Sequence, residues 1–159
     1  MEWVIDTQGL GKSYKDVEAL KPLDLRVVRN SICGFLGPNG AGKTTAIKLL
    51  LGLIRPTSGS ARVFGRDIQR ESVAIRDRIG YLPQDPHYYE HMTARQILSF
   101  SARFSFKGPA AEIGNRVTKT LALVGLADKA DRPVKGFSGG ERQRLGIGQA
   151  QVHYPDLLI

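Results

Sequence analysis

Cysteine is almost missing from this chain. Cys33 is the only one among 159 residues, so neither a disulfide framework nor a cysteine metal site can be built within one chain, and a reducing compartment fits. It sits in the apolar run Ile32-Cys33-Gly34-Phe35-Leu36, where a buried small hydrophobe is the expectation rather than a reactive thiol. Long hydrophobic runs are missing too. No window approaches the ~20 apolar residues that cross a bilayer; the nearest, Ala46 to Ile54, is short and contains Lys48. The start, Met1 to Asp6, has no basic region followed by a long apolar stretch, so no secretory leader is expected. If the protein works at a membrane, another chain or a further segment does the spanning. Internal repeats and low-complexity tracts are absent as well.

Acidic residues are in deficit: 15 Asp and Glu face 23 Lys and Arg, a net charge of +8. That excess suits an anionic ligand, a nucleic acid or an anionic membrane surface. The basic residues are scattered (Arg26, Arg29, Arg55, Arg62, Arg66, Arg70, Arg76, Arg78), with no run of five or six, so charge alone does not select nucleic acid. A hydrophobic share of 42% with 24% charged residues is that of a soluble globular domain, and the length suits one domain.

Short apolar segments alternate with helical patterns. Leu23, Leu25 and Val27 alternate along one predicted strand. Ile32 to Leu36 reads as a strand buried on both faces, Lys43 to Leu51 as a helix, and Pro56 to Gly59 as a turn. Ala61 to Phe64 and Ile79 to Leu82 read as strands. From Gln84 to Pro133 no good strand remains. Ala94 to Phe104 is one predicted helix, and Ile113, Val117, Leu121 and Val124 share the stripe of another. Pro155 to Ile159 begins a last apolar strand.

Two glycine-rich segments carry chemistry. Gly37-Pro38-Asn39-Gly40-Ala41-Gly42-Lys43-Thr44 fits G-x-x-x-x-G-K-[ST], between a predicted strand and a predicted helix, with Thr45 next in line. Gly40 and Gly42 permit positive φ, so that successive N–H groups can point into one concavity. The helix N-terminus adds the positive end of its dipole. Lys43 supplies a full charge to the outer phosphates, and the Thr44 hydroxyl is the natural Mg²⁺ ligand. Charge-assisted hydrogen bonds contribute ~1.5–3 kcal/mol each, and micromolar binding needs about 8 kcal/mol. Only a polyphosphate spans enough of these donors. The second segment is Phe137-Ser138-Gly139-Gly140-Glu141-Arg142-Gln143-Arg144. Ser138 and Glu141 have capping-box spacing, while Gly139-Gly140 exposes further amides at a helix start, a second anion site.

Together these segments resemble the ABC ATPase family, in order and over the whole chain. Phe137 to Glu141 is similar to the family signature Leu-Ser-Gly-Gly-Gln, with Phe for Leu and Glu for Gln. The resemblance implies an α/β fold: a P-loop NTPase with a RecA-like core, an N-terminal antiparallel β region and a helical subdomain at about residues 85–135 of a single domain, 1–159. It implies ATP and Mg²⁺ as ligands. Gly37 to Thr45, Ser138, Gly139, Gly140 and Glu141 would hold nucleotide, and Tyr14 would stack on adenine. Gln84 and Thr44 would attend Mg²⁺, with Lys43 and Gln84 acting in catalysis. His87, His91 and His153 do not match the family's catalytic histidine. Two such domains would meet head to tail, and residues Asp85 to Glu90, with adjacent Tyr88 and Tyr89, lie where the family docks its transmembrane permease.

The expected function is the ATP-binding subunit of a transporter, peripheral on the cytoplasmic side of a membrane, with no nucleic acid as partner. Residues 34–37 and 79–84 look most like bacterial exporter-type subunits. Competing readings are a soluble member acting on nucleic acid or ribosomes, and a binding-only regulator. Only 93 residues lie between Thr44 and Ser138, which leaves no room for the long coiled coils of chromosome-type members. The family pattern places Asp and then Glu just after Ile159. An incomplete sheet, little hydrolysis and self-association through an open strand edge are therefore expected. Asp156 begins its strand and is no substitute, since ligands sit beyond the carboxyl ends in such sheets.

Overall fold

A computed structural model of the chain describes residues 3–106 and 108–159. Met1 and Glu2, the first two residues of the segment read for a leader, and Lys107, inside the expected helical insert, lie outside the described residues. The chain divides into two compact units, Met1–Arg76 and Asp77–Ile159.

The first unit is organised by one long strand. Val4, Ile5, Thr7 and Leu10 of β1 (Trp3–Tyr14) are buried. Antiparallel partners line both of its edges: β2 (Val17–Leu23) and β3 (Arg26–Val28) on one, β4 (Ser58–Val63) on the other, with β5 (Arg66–Asp67) beyond β4. Register is fixed by pairs such as Ile5 with Val27 and with Val63. This is the expected antiparallel β region. The alternating run at Leu23–Val28 is not one strand. It breaks at Asp24-Leu25 because side chains take over the ladder: the Gly9 amide donates to Asp24 Oδ1 at 2.7 Å, and buried Thr7 Oγ1 accepts from the Leu25 amide at 2.8 Å. Phe64 and Gly65, both with positive φ, make the tight β4–β5 turn.

Helix α1 (Lys43–Leu50) buries Ala46, Leu49 and Leu50 and packs on β2 and β4. A short helix, α2 (Ser72–Arg76), closes the unit. The predicted strand at Ile32–Leu36 does not form. The segment is irregular and exposed, with Ile32 at 103% and Leu36 at 93% relative exposure, and Cys33 is exposed rather than buried. An apolar run becomes a buried strand only when other strands pair with its edges. None of the described strands pairs with this one.

In the second unit, β6 (Ile79–Gly80) pairs in parallel with β7 (Leu157–Leu158), and the ladder runs on through the Leu82 amide to the Ile159 carbonyl at 2.8 Å. Three helices share a core: α3 (Ala94–Ser105), α4 (Ala110–Leu123) and α5 (Gly139–Gln151). Leu98, Val117, Leu121, Leu126, Val134 and Leu145 are among its buried side chains. The stripe Ile113, Val117, Leu121, Val124 faces this core as its spacing requires. Thr93 and Gln96 cap α3 with a reciprocal box.

Pro56 to Gly59 is only partly a turn, since Ser58 and Gly59 already belong to β4. Gly59 has φ +68, and a Cβ there would lie 2.1 Å from the Gly9 carbonyl oxygen. Gly59→Ala therefore combines backbone strain with a clash against main chain. We expect it to destabilise the first unit by about 2 kcal/mol or more, read as a lower urea midpoint.

Candidate functional site

The phosphate-loop segment is already turned as an anion cradle. Gly40 and Gly42 have φ of +83 and +86, and Gly42 is the N-cap of α1 in the left-handed region. The Ala41 amide closes a turn onto the Pro38 carbonyl at 3.2 Å. The amides of Gly40, Gly42, Lys43, Thr44 and Thr45 have no hydrogen-bond partner among the described residues. They are the orphan donors of a helix start, with no capping side chain and no acidic residue in the first turn. Lys43 Nζ turns back onto the loop, donating to the carbonyls of Gly37 (2.6 Å) and Pro38 (2.7 Å). An ammonium held only by neutral carbonyls keeps its charge for an incoming anion.

Packing adds a second reason for Gly42. A Cβ there would lie 2.6 Å from the Ala19 carbonyl oxygen and 2.9 Å from Leu20 Cδ1. The loop thus rests on β2, and the β1–β2 hairpin that seats it also carries Tyr14, paired with Val17. Tyr14 is the last residue of β1. Its ring is half exposed, with Lys12 Nζ 4.8 Å from the centroid. Asn39 and Ala41 lie exposed on the loop, as does Thr44 at the helix start. The fit to a polyphosphate is therefore good: free amides, an ammonium held by two neutral carbonyls and by no carboxylate, and no acidic residue in the first turn of the helix. No cluster of three or more His, Cys, Asp or Glu that could hold a metal occurs among the described residues. A Mg²⁺ ion fits as a partner of phosphate oxygens and the Thr44 hydroxyl rather than in a carboxylate cage.

The signature segment lies in the second unit. Ser138 caps α5: its hydroxyl accepts from the Glu141 amide at 3.3 Å, and Glu141 Oε2 accepts from the Ser138 amide at 2.7 Å. Glu141 Oε1 takes a bond from Lys129 Nζ at 2.5 Å. Glu141 is buried, and both its oxygens are engaged inside the chain. The Lys129 ammonium first, and then the Ser138 amide, pull its pKa from the ordinary 4.5 to about 2. The Gly139 and Gly140 amides have no partner among the described residues, and nothing lies within 4 Å of where their Cβ atoms would be. Phe137 is buried in the helical core, an apolar anchor for the turn. Two glycines seat the rest of α5. A Cβ on Gly146 would meet Leu82 Cδ1 at 2.5 Å, and one on Gly148 would meet Thr120 Cγ2 at 3.2 Å.

Gln84 is exposed just beyond β6. Asp156 accepts from Arg78 Nε at 2.6 Å at the start of β7. The paired tyrosines separate in role. Tyr88 is half-buried, donates to the Arg142 carbonyl at 2.9 Å, and has its pKa raised to about 12 by burial. Tyr89 is exposed and meets Phe100 edge to face at 6.4 Å, and Phe100 meets Phe104 at 4.8 Å. His87 and His91 are exposed, whereas His153 is half-buried and its pKa is lowered by burial. Sequence reasoning missed Lys129 and the aromatic row Phe100–Phe104. The row was legible as i, i+4 aromatics on α3; the Lys129 partnership crosses 12 residues and carried no local signal.

A glycine-turned loop of free amides with a lysine bonded to its carbonyls, at the start of a helix, defines a nucleotide-phosphate-binding domain of the P-loop class. The chain belongs to the ABC transporter family, whose pattern matches residues 20–159. It is 40% identical over 159 residues to the bacitracin transport ATP-binding protein BcrA of Bacillus licheniformis, covering all of this chain and 51% of that protein. It is 40% identical over 155 residues to the daunorubicin resistance ATP-binding protein DrrA3 of Streptomyces coeruleorubidus, covering 98% and 49%. The chain thus spans about half the length of these relatives. The structure of cbiO1 from Clostridium perfringens, part of the ABC transporter complex cbiONQ, superposes with a TM-score of 0.86 at 28% identity, covering 99% of this chain and 64% of that one. The α/β P-loop fold expected from sequence is the fold observed.

The low pKa of Glu141 gives this unit an acid sensitivity of known sign. The folded chain binds this proton more weakly than the unfolded chain does. The stability Glu141 contributes is therefore complete above about pH 4.5 and lost as pH falls through about 2. Glu141→Gln should flatten the fall in urea midpoint between pH 5 and pH 2.5, relative to the parent chain.

Proposed function

We propose that this chain is the nucleotide-binding part of an ABC transporter subunit that binds ATP with Mg²⁺ and, within the whole protein, couples its hydrolysis to transport. One observation carries the reading: five consecutive or near-consecutive amides, Gly40 and Gly42 to Thr45, lie unpaired at the start of α1, in the loop whose Gly37 and Pro38 carbonyls hold the Lys43 ammonium. In this reading the donors of Gly37 to Thr45 take the phosphates, while Pro38, which has no N–H, shapes the loop. Lys43 meets the developing charge on the outer phosphate, Thr44 and Gln84 serve Mg²⁺, and Tyr14 stacks on adenine. Ser138, Gly139 and Gly140 present a second set of donors to the nucleotide of another ATP-binding domain, arranged head to tail. Glu141 serves that set by holding the turn.

A transmembrane permease is the proposed membrane partner. Among the described residues no helix is long and apolar enough to cross a membrane. The exposed row Tyr89, Phe100, Phe104 on the second unit is an apolar surface suited to such a chain. A place against the cytoplasmic face of the membrane follows from that partnership. The roles named for the relatives, bacitracin transport and daunorubicin resistance, favour transport over a nucleic-acid role.

Two measurements test this reading. Lys43→Ala should weaken ATP binding, followed by calorimetry with Mg²⁺ present, by at least tenfold; unchanged affinity would remove the phosphate role. Tyr14→Ala should weaken ATP by roughly fivefold to a hundredfold, the range of one base–aromatic stack, yet leave inorganic triphosphate nearly unaffected. Equal losses for both ligands would reject stacking.

A further inference from the structure

The signature turn poses an electrostatic problem. Gly139 and Gly140 offer amides to an anion at the start of α5, yet the next residue is a buried glutamate. A bare carboxylate there would repel the phosphate those amides are meant to receive. The acid cannot turn away into solvent, because Oε2 is committed to the Ser138 amide at 2.7 Å and the cap depends on it. Three arginines of this segment are engaged elsewhere. Arg132 donates to the Gly136 carbonyl at 2.7 Å, Arg142 to Glu90 at 2.7 Å, and Arg144 to the Gly125 carbonyl at 3.1 Å. Lys129, the last residue of the 3-10 turn Ala127–Lys129, meets Glu141 Oε1 directly.

We propose that Lys129 is a positioning residue for nucleotide engagement: it neutralises Glu141, so that an acidic signature turn presents its two glycine amides to a phosphate as a neutral one would. The inference rests on the ATP-binding reading above and adds the group that lets glutamate stand in the signature. Three features converge on it. The pair is short, and its carboxylate is the shielded partner, with the Glu141 side chain 10% exposed and that of Lys129 35% exposed. A close ion pair acts at a distance as a dipole, whose field falls off faster than that of a lone charge. The lysine comes from outside α5, so the charge is cancelled without a cation on the helix that carries the amides.

The test uses the ¹⁵N-labelled 159-residue chain titrated with inorganic triphosphate. Amide shifts of Gly139 and Gly140 report the signature, and those of Gly40 to Thr45 in the same sample report the phosphate loop. Lys129→Met should weaken the response at Gly139 and Gly140 at least tenfold. In the E141Q background the same lysine substitution should cost less than threefold, because no carboxylate is left to neutralise. Lys129→Arg should stay within threefold of the parent. An undiminished response in K129M, a penalty as large in the E141Q background, or silent Gly139 and Gly140 amides in the parent chain would each overturn the proposal. If K129M loses its dispersed amide signals, the comparison passes to Lys129→Gln against K129R, and equal losses in those two would overturn it. A failure of the ATP-binding reading shows separately, as silence at Gly40 to Thr45.

Discussion

The free amides at the start of α1 depend on the left-handed backbone at Gly42. A residue at φ +86 cannot continue the loop as helix or strand, so the chain reverses and α1 starts with its first amides unpaired. The same residue sits against the main chain of Ala19, with 2.6 Å between that carbonyl oxygen and where a Cβ would go. Conformation and packing thus demand glycine independently. Lys43, one position on, supplies the charge that the amide dipoles alone would lack. In the proposed function, phosphate affinity is a property of backbone geometry first and of side-chain charge second.

The β1–β2 hairpin is what makes that geometry usable. It seats Gly42 through Ala19 and Leu20 and carries Tyr14 at its end, paired with Val17. One hairpin therefore sets both the floor of the phosphate loop and the position of the aromatic ring. In the second unit the helical core plays the corresponding part. Phe137 is anchored in it, α5 is drawn close by Gly146 and Gly148, and the Ser138–Glu141 box fixes the amides that follow. Both anion-directed segments use one device, a helix start with donors left free, but they are capped oppositely: the phosphate loop by a bare glycine, the signature by a buried, lysine-paired glutamate.

Much of this was legible in the sequence, because the informative features are local. The spacing of Gly37, Gly42, Lys43 and Thr44, the capping-box spacing of Ser138 and Glu141, and the stripe Ile113–Val124 each act within a few residues. What was not legible depends on pairing across the chain. Ile32 to Leu36 has the composition of a buried strand, yet strand formation requires a partner that composition does not encode. β1 escaped notice because Thr7, Gly9 and Gly11 interrupt its apolar alternation, and its length is set by neighbours on both edges. Lys129 and Glu141 are 12 residues apart, and nothing in that interval announces their contact.

Amide shifts on titration of the chain with Mg²⁺ and ATP test the central claim most directly. The account predicts that Gly40, Gly42, Lys43, Thr44 and Thr45 move together and saturate at one concentration. If those five signals stayed in place while ATP bound elsewhere, or did not bind at all, the cradle at the start of α1 would not be a phosphate site.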